Sequence, residues 1–562
     1  MEGILAIGFI IFLIFLFSRP KNKSSRPKSL NKNVISDSQL IITDEFKDIL
    51  YLLNNSNNSV FITGKAGTGK SSLLRYFIKN TRKKNIVLAP TGVAALNVGG
   101  QTIHSFFRFP PSIINPTQIQ SDYVRAELFK NLQMVIIDEI SMVRADLMNG
   151  IDIALRKNRN RPNDAFGGVQ MVFIGDLFQL PPVLKDKERE KILQDFGGQY
   201  FFDANVFKTF TYEFKELTII FRQTNEQPEF KNLLNRVRNN DVQYDDMVLL
   251  NSRHRDNVGE HTNSIFLTTR RDIARSINND KLENLSGQKY TYTGILSGKY
   301  LKLKEESEEK LEDKLPAPYK LELKKDAQIM MLKNDSGKRW VNGTIGIVDK
   351  LEHDSITVRI DGNKYKIEKE TWNEVEYVLN KETKEIEPKI NAGFSQFPLQ
   401  LSYAMTIHKS QGKSFDKITL DIGSGAFAHG QVYVALSRCR TLNGIVLSNQ
   451  IKNSDIIVDP RVIEFYKTKL IPKKTTTTTK NNDSASIRGE ILRAINNDEK
   501  IKIVYENFNG EVKERILSNI QLTNEFDEYG YNNQHIKAFC HLRNEERSFK
   551  IDRIKKIERI KK

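Results

Sequence analysis

Between residues 60 and 174 the chain repeats one pattern, a short continuous apolar run followed by a longer stretch of helical spacing. The runs are Val60-Phe61-Ile62, Ile86-Val87-Leu88, Met134-Val135-Ile136-Ile137 and Val169-Gln170-Met171-Val172-Phe173-Ile174. Strands apolar at successive positions are buried on both faces, which predicts a parallel sheet covered by helices. After Glu216 the pattern turns mostly helical to about residue 290. Residues 290–395 are Lys-rich and alternate polar with apolar positions, with turn signals at Asn342-Gly343 and Asp361-Gly362. That predicts a small antiparallel β insertion. The α/β pattern resumes at Gln400 and runs to about Leu470; five successive threonines, Thr475 to Thr479, then mark a linker. The tail alternates like β-strands and carries a hairpin signal at Asn509-Gly510. The predicted class is α/β, with units at 41–215 and 216–470, an insertion at about 290–395, a linker at 471–485 and a tail at 486–562. No solenoid-period repeat interrupts this order.

Ahead of these units, residues 3–18 read GILAIGFIIFLIFLFS, and Arg19, Lys21, Lys23, Arg26, Lys28 and Lys32 follow within a polar linker over 19–40. As a helix the run reaches about 24 Å against a hydrocarbon core of about 30 Å. Glu2 at the start and Ser18-Arg19-Pro20 at the end argue against a cleaved signal peptide. The absence of an amphipathic face argues against a core helix. A membrane anchor fits best, with the basic flank placing the body in the cytosol, tethered to the inner face of a membrane through lipid contact.

Composition narrows the function classes. The chain has 562 residues, 39% hydrophobic and 9% aromatic, which excludes wholesale disorder. Two cysteines exclude a disulfide-stapled protein and a multi-cysteine metal site. With 86 Lys and Arg against 69 Asp and Glu the net charge is 86 − 69 = +17, which favours a polyanionic partner.

The sharpest local signal is Gly64-Lys65-Ala66-Gly67-Thr68-Gly69-Lys70-Ser71, placed between a predicted strand and a predicted helix. Glycines let backbone N–H groups close around a phosphate, Lys70 reaches the β- and γ-oxygens, and the Ser71 hydroxyl binds Mg²⁺. About 70 residues on, the strand at 134–137 ends in Asp138-Glu139. There Asp138 would hold the Mg²⁺ and Glu139 would polarise an attacking water. A phosphate loop alone does not separate a kinase, a GTPase and a helicase.

The remaining motifs do. In order they are Ala89-Pro90-Thr91-Gly92-Val93-Ala94-Ala95, Gln101-Thr102-Ile103-His104-Ser105-Phe106-Phe107, Phe166-Gly167-Gly168-Val169-Gln170, and Gly175-Asp176-Leu177-Phe178-Gln179-Leu180-Pro181-Pro182. Phe221-Arg222-Gln223, Thr406-Ile407-His408-Lys409-Ser410-Gln411-Gly412 and Gln431-Val432-Tyr433-Val434-Ala435-Leu436-Ser437-Arg438 follow. This series over about residues 40 to 450 resembles the Pif-one family of DNA helicases, RecD-like members of superfamily 1B.

The resemblance implies two RecA-like domains with ATP and Mg²⁺ in the cleft between them. It implies 5′-to-3′ movement on single-stranded DNA and unwinding of forked or tailed duplexes. Gln179 would sense the γ-phosphate, Arg222 and Arg438 would be arginine fingers, and Gly412 and Gln431 would contact the nucleotide. Pro90, Thr91, His104, Ser105 and Phe106 match the family's first set of DNA-binding loops. Thr406, His408, Lys409 and Ser410 match the second set. Residues 290–395 would form the family's inserted small β-barrel. Many relatives carry a glutamine ahead of the phosphate loop that reads adenine, where this chain has Thr43-Asp44-Glu45-Phe46. Tyr505, Arg515, Arg543, Arg547, Phe549 and Arg553 in the tail resemble a WYL domain, a small Sm-like β-barrel that binds nucleic acid or a small anionic ligand. The Trp-Tyr-Leu tripeptide itself is replaced by His535-Ile536-Lys537. An ATP-switched nucleic-acid-binding protein that does not unwind, and an RNA motor, remain as alternatives.

Overall fold

The apolar runs of the first 220 residues align as one sheet in the computed structural model. The structure describes residues 42–221, 228–255, 264–307, 310–311, 314–470, 484–506, 512–523 and 535–560. The expected anchor over residues 3–18 lies outside these residues, as do Arg222 and the Asn509-Gly510 turn. Among the described residues no helix is long and apolar enough to cross a membrane.

The first sheet has six strands: β1 (Val60–Gly64), β2 (Asn85–Ala89), β3 (Gln101–Thr102), β4 (Met134–Ile137), β5 (Gln170–Ile174) and β6 (Glu213–Leu217). Their order is β3-β2-β4-β5-β1-β6, all parallel. β1, β4 and β5 are buried along their whole length, as continuous apolar runs require. Val60, Ile62, Val87, Ile136 and Val172 pack one face against Phe46 and Ile49 of the helix Asp44–Asn55 and Leu73 and Phe77 of the helix Lys70–Asn80. Thr43 caps the first of these helices, its hydroxyl accepting from Phe46 N at 3.2 Å. The two edge strands, β3 and β6, have no apolar run to announce them.

A second parallel sheet joins Ala404–Thr406, Ile265–Thr268, Ile418–Asp421 and Ile445–Leu447, in that order. Its strand at Ile265–Thr268 interrupts the mostly helical stretch expected after Glu216. Four residues are too short a run to separate from helix by periodicity. The helices Pro228–Asn239, Tyr244–Asn251 and Arg271–Glu283 account for much of that stretch.

The insertion is antiparallel as expected; its described strands group into three hydrogen-bonded sheets and extend to Leu401. Its five-stranded sheet and the strand pair Tyr290–Thr293 with Lys320–Leu323 share one core of Leu323, Ile329, Met331, Val348 and Val358. The Asp361-Gly362 signal is a two-residue hairpin turn, with Ile360 paired to Asn363 and φ of 47° and 80°. A separate hairpin, Glu370–Leu379 with Ile386–Gln396, reaches the first sheet. There the Tyr377 hydroxyl accepts from Val87 N at 3.0 Å and the Gln101 side chain accepts from Tyr377 N at 3.4 Å.

The chain divides into two compact units, residues 1–463 and residues 464–562. In the second, the strands Glu545–Lys550, His535–Cys540, Val512–Thr523, Lys500–Glu506 and Ile554–Ile560 form one antiparallel sheet. Ile487 and Ile491 of the helix Ser484–Asn496 complete its core with Ile501, Ile503, Leu517 and Ile536. Closure of this sheet into a barrel is not among the described strand pairs.

Candidate ATP and nucleic-acid site

β1 ends at Gly64, and its geometry is imposed by space. A Cβ there would lie 2.7 Å from both the Leu217 carbonyl oxygen and the Thr68 hydroxyl. The loop folds back on itself: the Thr68 hydroxyl donates to Lys65 O at 3.0 Å, and Lys70 Nζ donates to Gly64 O at 2.6 Å and Lys65 O at 3.0 Å. Gly69, in the left-handed conformation at φ 84°, turns the chain into the helix Lys70–Asn80. Lys70 and Ser71 therefore open a helix whose N-terminal N–H groups face the loop, the arrangement that favours an anion.

β4 delivers the two carboxylates. Asp138 is buried and Glu139 sits at φ 51°, a backbone conformation that a non-glycine residue adopts at a cost of about 1 kcal/mol or more. Burial and then the Asp138 charge push Glu139 up to about 7. Burial likewise raises Asp138, against the opposing effect of Lys70 and Arg75. A serine hydroxyl, a carboxylate and phosphate oxygens are the hard oxygen donors Mg²⁺ prefers, so Ser71 and Asp138 fit that ion.

β5 lies between β4 and β1, and the loop after it carries Asp176 and Gln179 into the same space. The second parallel sheet meets these residues. Gln411 Nε2 donates to Gln179 Oε1 at 3.2 Å and to Glu139 Oε2 at 3.4 Å. Arg238 donates to Asp176 Oδ1 at 3.1 Å and its guanidinium lies 4.0 Å from the centre of the Phe178 ring. Burial opposes the Asp176 charge, yet Arg238, then Lys70, hold this carboxyl below the usual range. The Tyr433 hydroxyl donates to Asp176 Oδ2 at 3.2 Å and accepts from Ala66 N at 3.0 Å. A Cβ on Gly430, just before Tyr433's helix, would lie 2.5 Å from Phe178 O, so glycine permits that close approach. Gln411, Tyr433 and Asp176 lie within the sequence motifs, but nothing local to them signals these contacts. Arg238 gave no signal, being one of 86 basic residues.

Arg438 is 1% exposed, and its guanidinium donates to Val434 O at 2.9 Å, Ser437 Oγ at 2.9 Å, Lys413 O at 3.3 Å and Ser410 O at 3.5 Å. It is close enough to Glu139 to oppose the rise of that carboxyl. Gln431 is buried, with its side-chain oxygen accepting from Phe427 N at 3.0 Å and Ala428 N at 3.3 Å. Gly412, at φ 80°, has open space around it.

The residues expected at nucleic acid divide by exposure. Lys409 is exposed, and Pro90, Thr91, His104, Ser105 and His408 are half-buried. Thr91 also caps the helix Gly92–Val98, its hydroxyl accepting from Ala94 N at 3.2 Å. Phe106 corrects the expectation of base stacking. Its ring is 0% exposed, edge-on to Phe107 at 4.9 Å and Phe129 at 5.5 Å, and covered by Arg125 at 5.3 Å. Thr406 and Ser410 are also buried, and their hydroxyls serve the loop. Thr406 Oγ1 accepts from Lys409 N at 3.2 Å, and Ser410 Oγ donates to Ile407 O at 2.7 Å. These three side chains shape loops rather than present a surface, because an apolar ring or an internally bonded hydroxyl is more stable inside than stripped of its partners.

In the tail, Arg515 is buried with its guanidinium 5.9 Å from the Phe549 ring centre, and Tyr505 meets that ring edge-on at 5.1 Å. Arg543 and Arg547 are exposed, and Arg553 is half-buried.

The PIF1-like helicase profile matches residues 34–247, and the WYL domain profile matches residues 487–559. The chain is 34% identical over 438 residues to the ATP-dependent DNA helicase Pif1 of Bdellovibrio bacteriovorus, covering 76% of this chain and 92% of that protein. The crystal structure of Bacteroides sp Pif1 in complex with ADP-AlF4 superposes with a TM-score of 0.70 at 41% identity, covering 76% of this chain and 97% of the other. The same Bacteroides protein bound to ssDNA gives 0.55 at 42% identity, again over 76% and 97%.

Proposed function

The chain belongs to the PIF1-like helicase family and is an ATP-dependent DNA helicase, and on that premise we propose that it moves 5′-to-3′ on single-stranded DNA and unwinds forked or tailed duplexes. The observation that supports this reading is the contact of Gln411 and Tyr433, carried beside the second parallel sheet, with the residues around the phosphate loop: Gln411 is bonded to both Glu139 and Gln179, and Tyr433 to Ala66. Hydrolysis there is sensed by a segment that also carries His408 and Lys409.

In this mechanism the N–H groups of residues 64–71 cradle the phosphates and Lys70 leaves its two carbonyl partners for the β- and γ-oxygens. Ser71 and Asp138 would hold Mg²⁺, which when bound would supply positive charge to the phosphate oxygens. Glu139, whose raised proton affinity suits a base near neutral pH, takes the proton of the attacking water while Gln179 and Gln411 orient it. Arg438 and Arg222 stabilise charge on the transferring phosphoryl group. Pro90, Thr91, His104 and Ser105 hold the strand on one side, and His408 and Lys409 on the other. The WYL-like tail supplies a further nucleic-acid or anion contact, and residues 3–18 a membrane tether.

The test has two arms. ATP turnover is measured with and without single-stranded DNA, and strand displacement on duplexes with a 5′ or a 3′ tail. Strong stimulation and displacement of the 5′-tailed duplex alone are the expected results. Displacement of the 3′-tailed duplex reverses the polarity. Full-length protein is expected to stay with membranes in high salt, and its release would remove the tether.

A further inference from the structure

Tyr433 lies on the short helix Gln431–Leu436 of the second sheet, 4% exposed, yet its hydroxyl is bonded to the backbone of the phosphate loop 367 positions away. A phenol hydroxyl offers one proton and two lone pairs. Here the proton points at the Asp176 carboxylate, 3.2 Å away, and a lone pair receives the Ala66 N–H at 3.0 Å. Burial, then the Asp176 charge, raise the phenol well above its ordinary range, so it keeps that proton. The Ala66 N–H belongs to the backbone cradle to which the oxygens of a bound triphosphate are drawn.

Phosphate oxygens are charged acceptors, and charge-assisted hydrogen bonds are about twice as strong as neutral ones. A phosphate oxygen at Ala66 therefore displaces the phenol rather than sharing the N–H with it. The displaced side chain is joined to the nucleic-acid loop by a short covalent and hydrogen-bonded path. The helix Gln431–Leu436 runs directly into Ser437 and Arg438, and Arg438 donates to the carbonyls of Ser410 and Lys413. Those carbonyls bracket the loop that follows His408 and Lys409.

We propose that Tyr433 is a positioning residue whose hydroxyl stands in for a phosphate oxygen at Ala66, so that nucleotide binding, by displacing it, shifts Arg438 and the Thr406–Lys413 loop and thereby sets the affinity for single-stranded DNA. The proposal rests on the ATP-driven reading above and adds the route by which one site informs the other. Coupling of this kind is reciprocal: nucleotide and DNA change each other's affinity by one common factor.

The experiment is an equilibrium cycle on the full chain and on Tyr433→Phe, which keeps the ring and removes only the hydroxyl. A fluorescent ADP-AlF4 complex is titrated with and without an oligo-dT strand, and oligo-dT with and without ADP-AlF4. In the variant, nucleotide affinity without DNA is expected to rise about 3- to 10-fold, the range for one removed hydrogen bond. The coupling factor is expected to fall toward one by a similar ratio, equally in both directions. An unchanged coupling factor in a variant that binds nucleotide overturns the proposal. If the unaltered chain binds no nucleotide, the ATP-driven reading fails instead. A second measurement needs no variant: hydrogen exchange in a peptide spanning residues 406–413 is followed as ADP-AlF4 is added without DNA. A change in protection is expected there, and none overturns the proposal.

Discussion

The two parallel sheets of the motor are alike in architecture and different in how they hold their functional residues. The six-stranded sheet presents Lys70, Ser71, Asp138 and Glu139 at strand ends and a helix start, each positioned by its own few neighbours in sequence. The four-stranded sheet presents Gln411, Tyr433 and Arg438 on loops and a six-residue helix, each held by partners from distant segments. The first arrangement suits a site whose geometry must stay fixed through the reaction. The second ties each residue to partners from other segments, so a ligand that changes those partners also acts on the residue. Tyr200 and His429 add to this second kind of contact. The Tyr200 hydroxyl donates to Asp459 Oδ2 at 2.9 Å, and His429 Nε2 meets Leu177 O at 2.7 Å.

The largest expected effect falls on the fixed side. Lys70→Ala removes the lysine proposed to reach the β- and γ-oxygens, and ATP turnover is expected to drop below assay background. Glu139→Gln is expected to abolish turnover while a fluorescent ATP analogue still binds. Normal hydrolysis by Glu139→Gln would mean that another group activates the water.

On the mobile side, Arg438→Ala is expected to cost about 10³-fold or more in turnover by the precedent for arginine fingers. Single-strand affinity is expected to survive. Because Arg438 also satisfies buried carbonyls, a lower melting temperature accompanies the change, and Arg438→Lys separates charge from packing. A variant that loses DNA binding while hydrolysing ATP normally would place Arg438 on the strand instead.

The pair joining the two sheets tests a stability claim. Arg238→Met leaves the Asp176 charge buried without its guanidinium, and about 3–5 kcal/mol is expected to be lost in denaturant melts. Adding Asp176→Leu removes the stranded charge, and most of that loss is expected to return. No recovery would show that the two residues do not act as a pair.

The smallest effect sharpens the split among nucleic-acid residues. Lys409→Ala is expected to lower the slope of log affinity for single-stranded DNA against log salt by about 0.7, the loss of one phosphate contact. Phe106→Leu, a change within an aromatic core, is expected to leave that slope unchanged and to lower the melting temperature. A flattened slope in Phe106→Leu with full stability would restore it as a DNA contact.

The unequal legibility of these residues follows the same division. Lys70, Ser71, Asp138 and Glu139 could be placed from sequence because their motif and their structural context are contiguous: a buried apolar run, then the functional residue at its end. β3 and β6 could not, since an edge strand needs only one partner and carries little apolar signal. The burial of Phe106 in the short helix Ile103–Phe107 was not legible, because an aromatic has the same local pattern whether it faces a base or other rings. The internal bonds of Thr406 and Ser410 were not legible, because a hydroxyl in a tight turn is as suited to the turn's own backbone as to a phosphate.

What the sequence by itself determined was the α/β class, the phosphate loop with its Asp138-Glu139 partner, the antiparallel character of the insertion and the tail, and the basic charge that suits a polyanion. All of these depend on residues within a turn or a strand of one another, or on composition. What the tertiary structure decided was the contact layer between the sheets: Gln411 on Glu139, Arg238 on Asp176 and Tyr433 on Ala66, over separations of 272, 62 and 367 residues. No local pattern encodes such a pairing, because the free energy that brings the partners together comes from burying the surfaces around them and not from the pair itself.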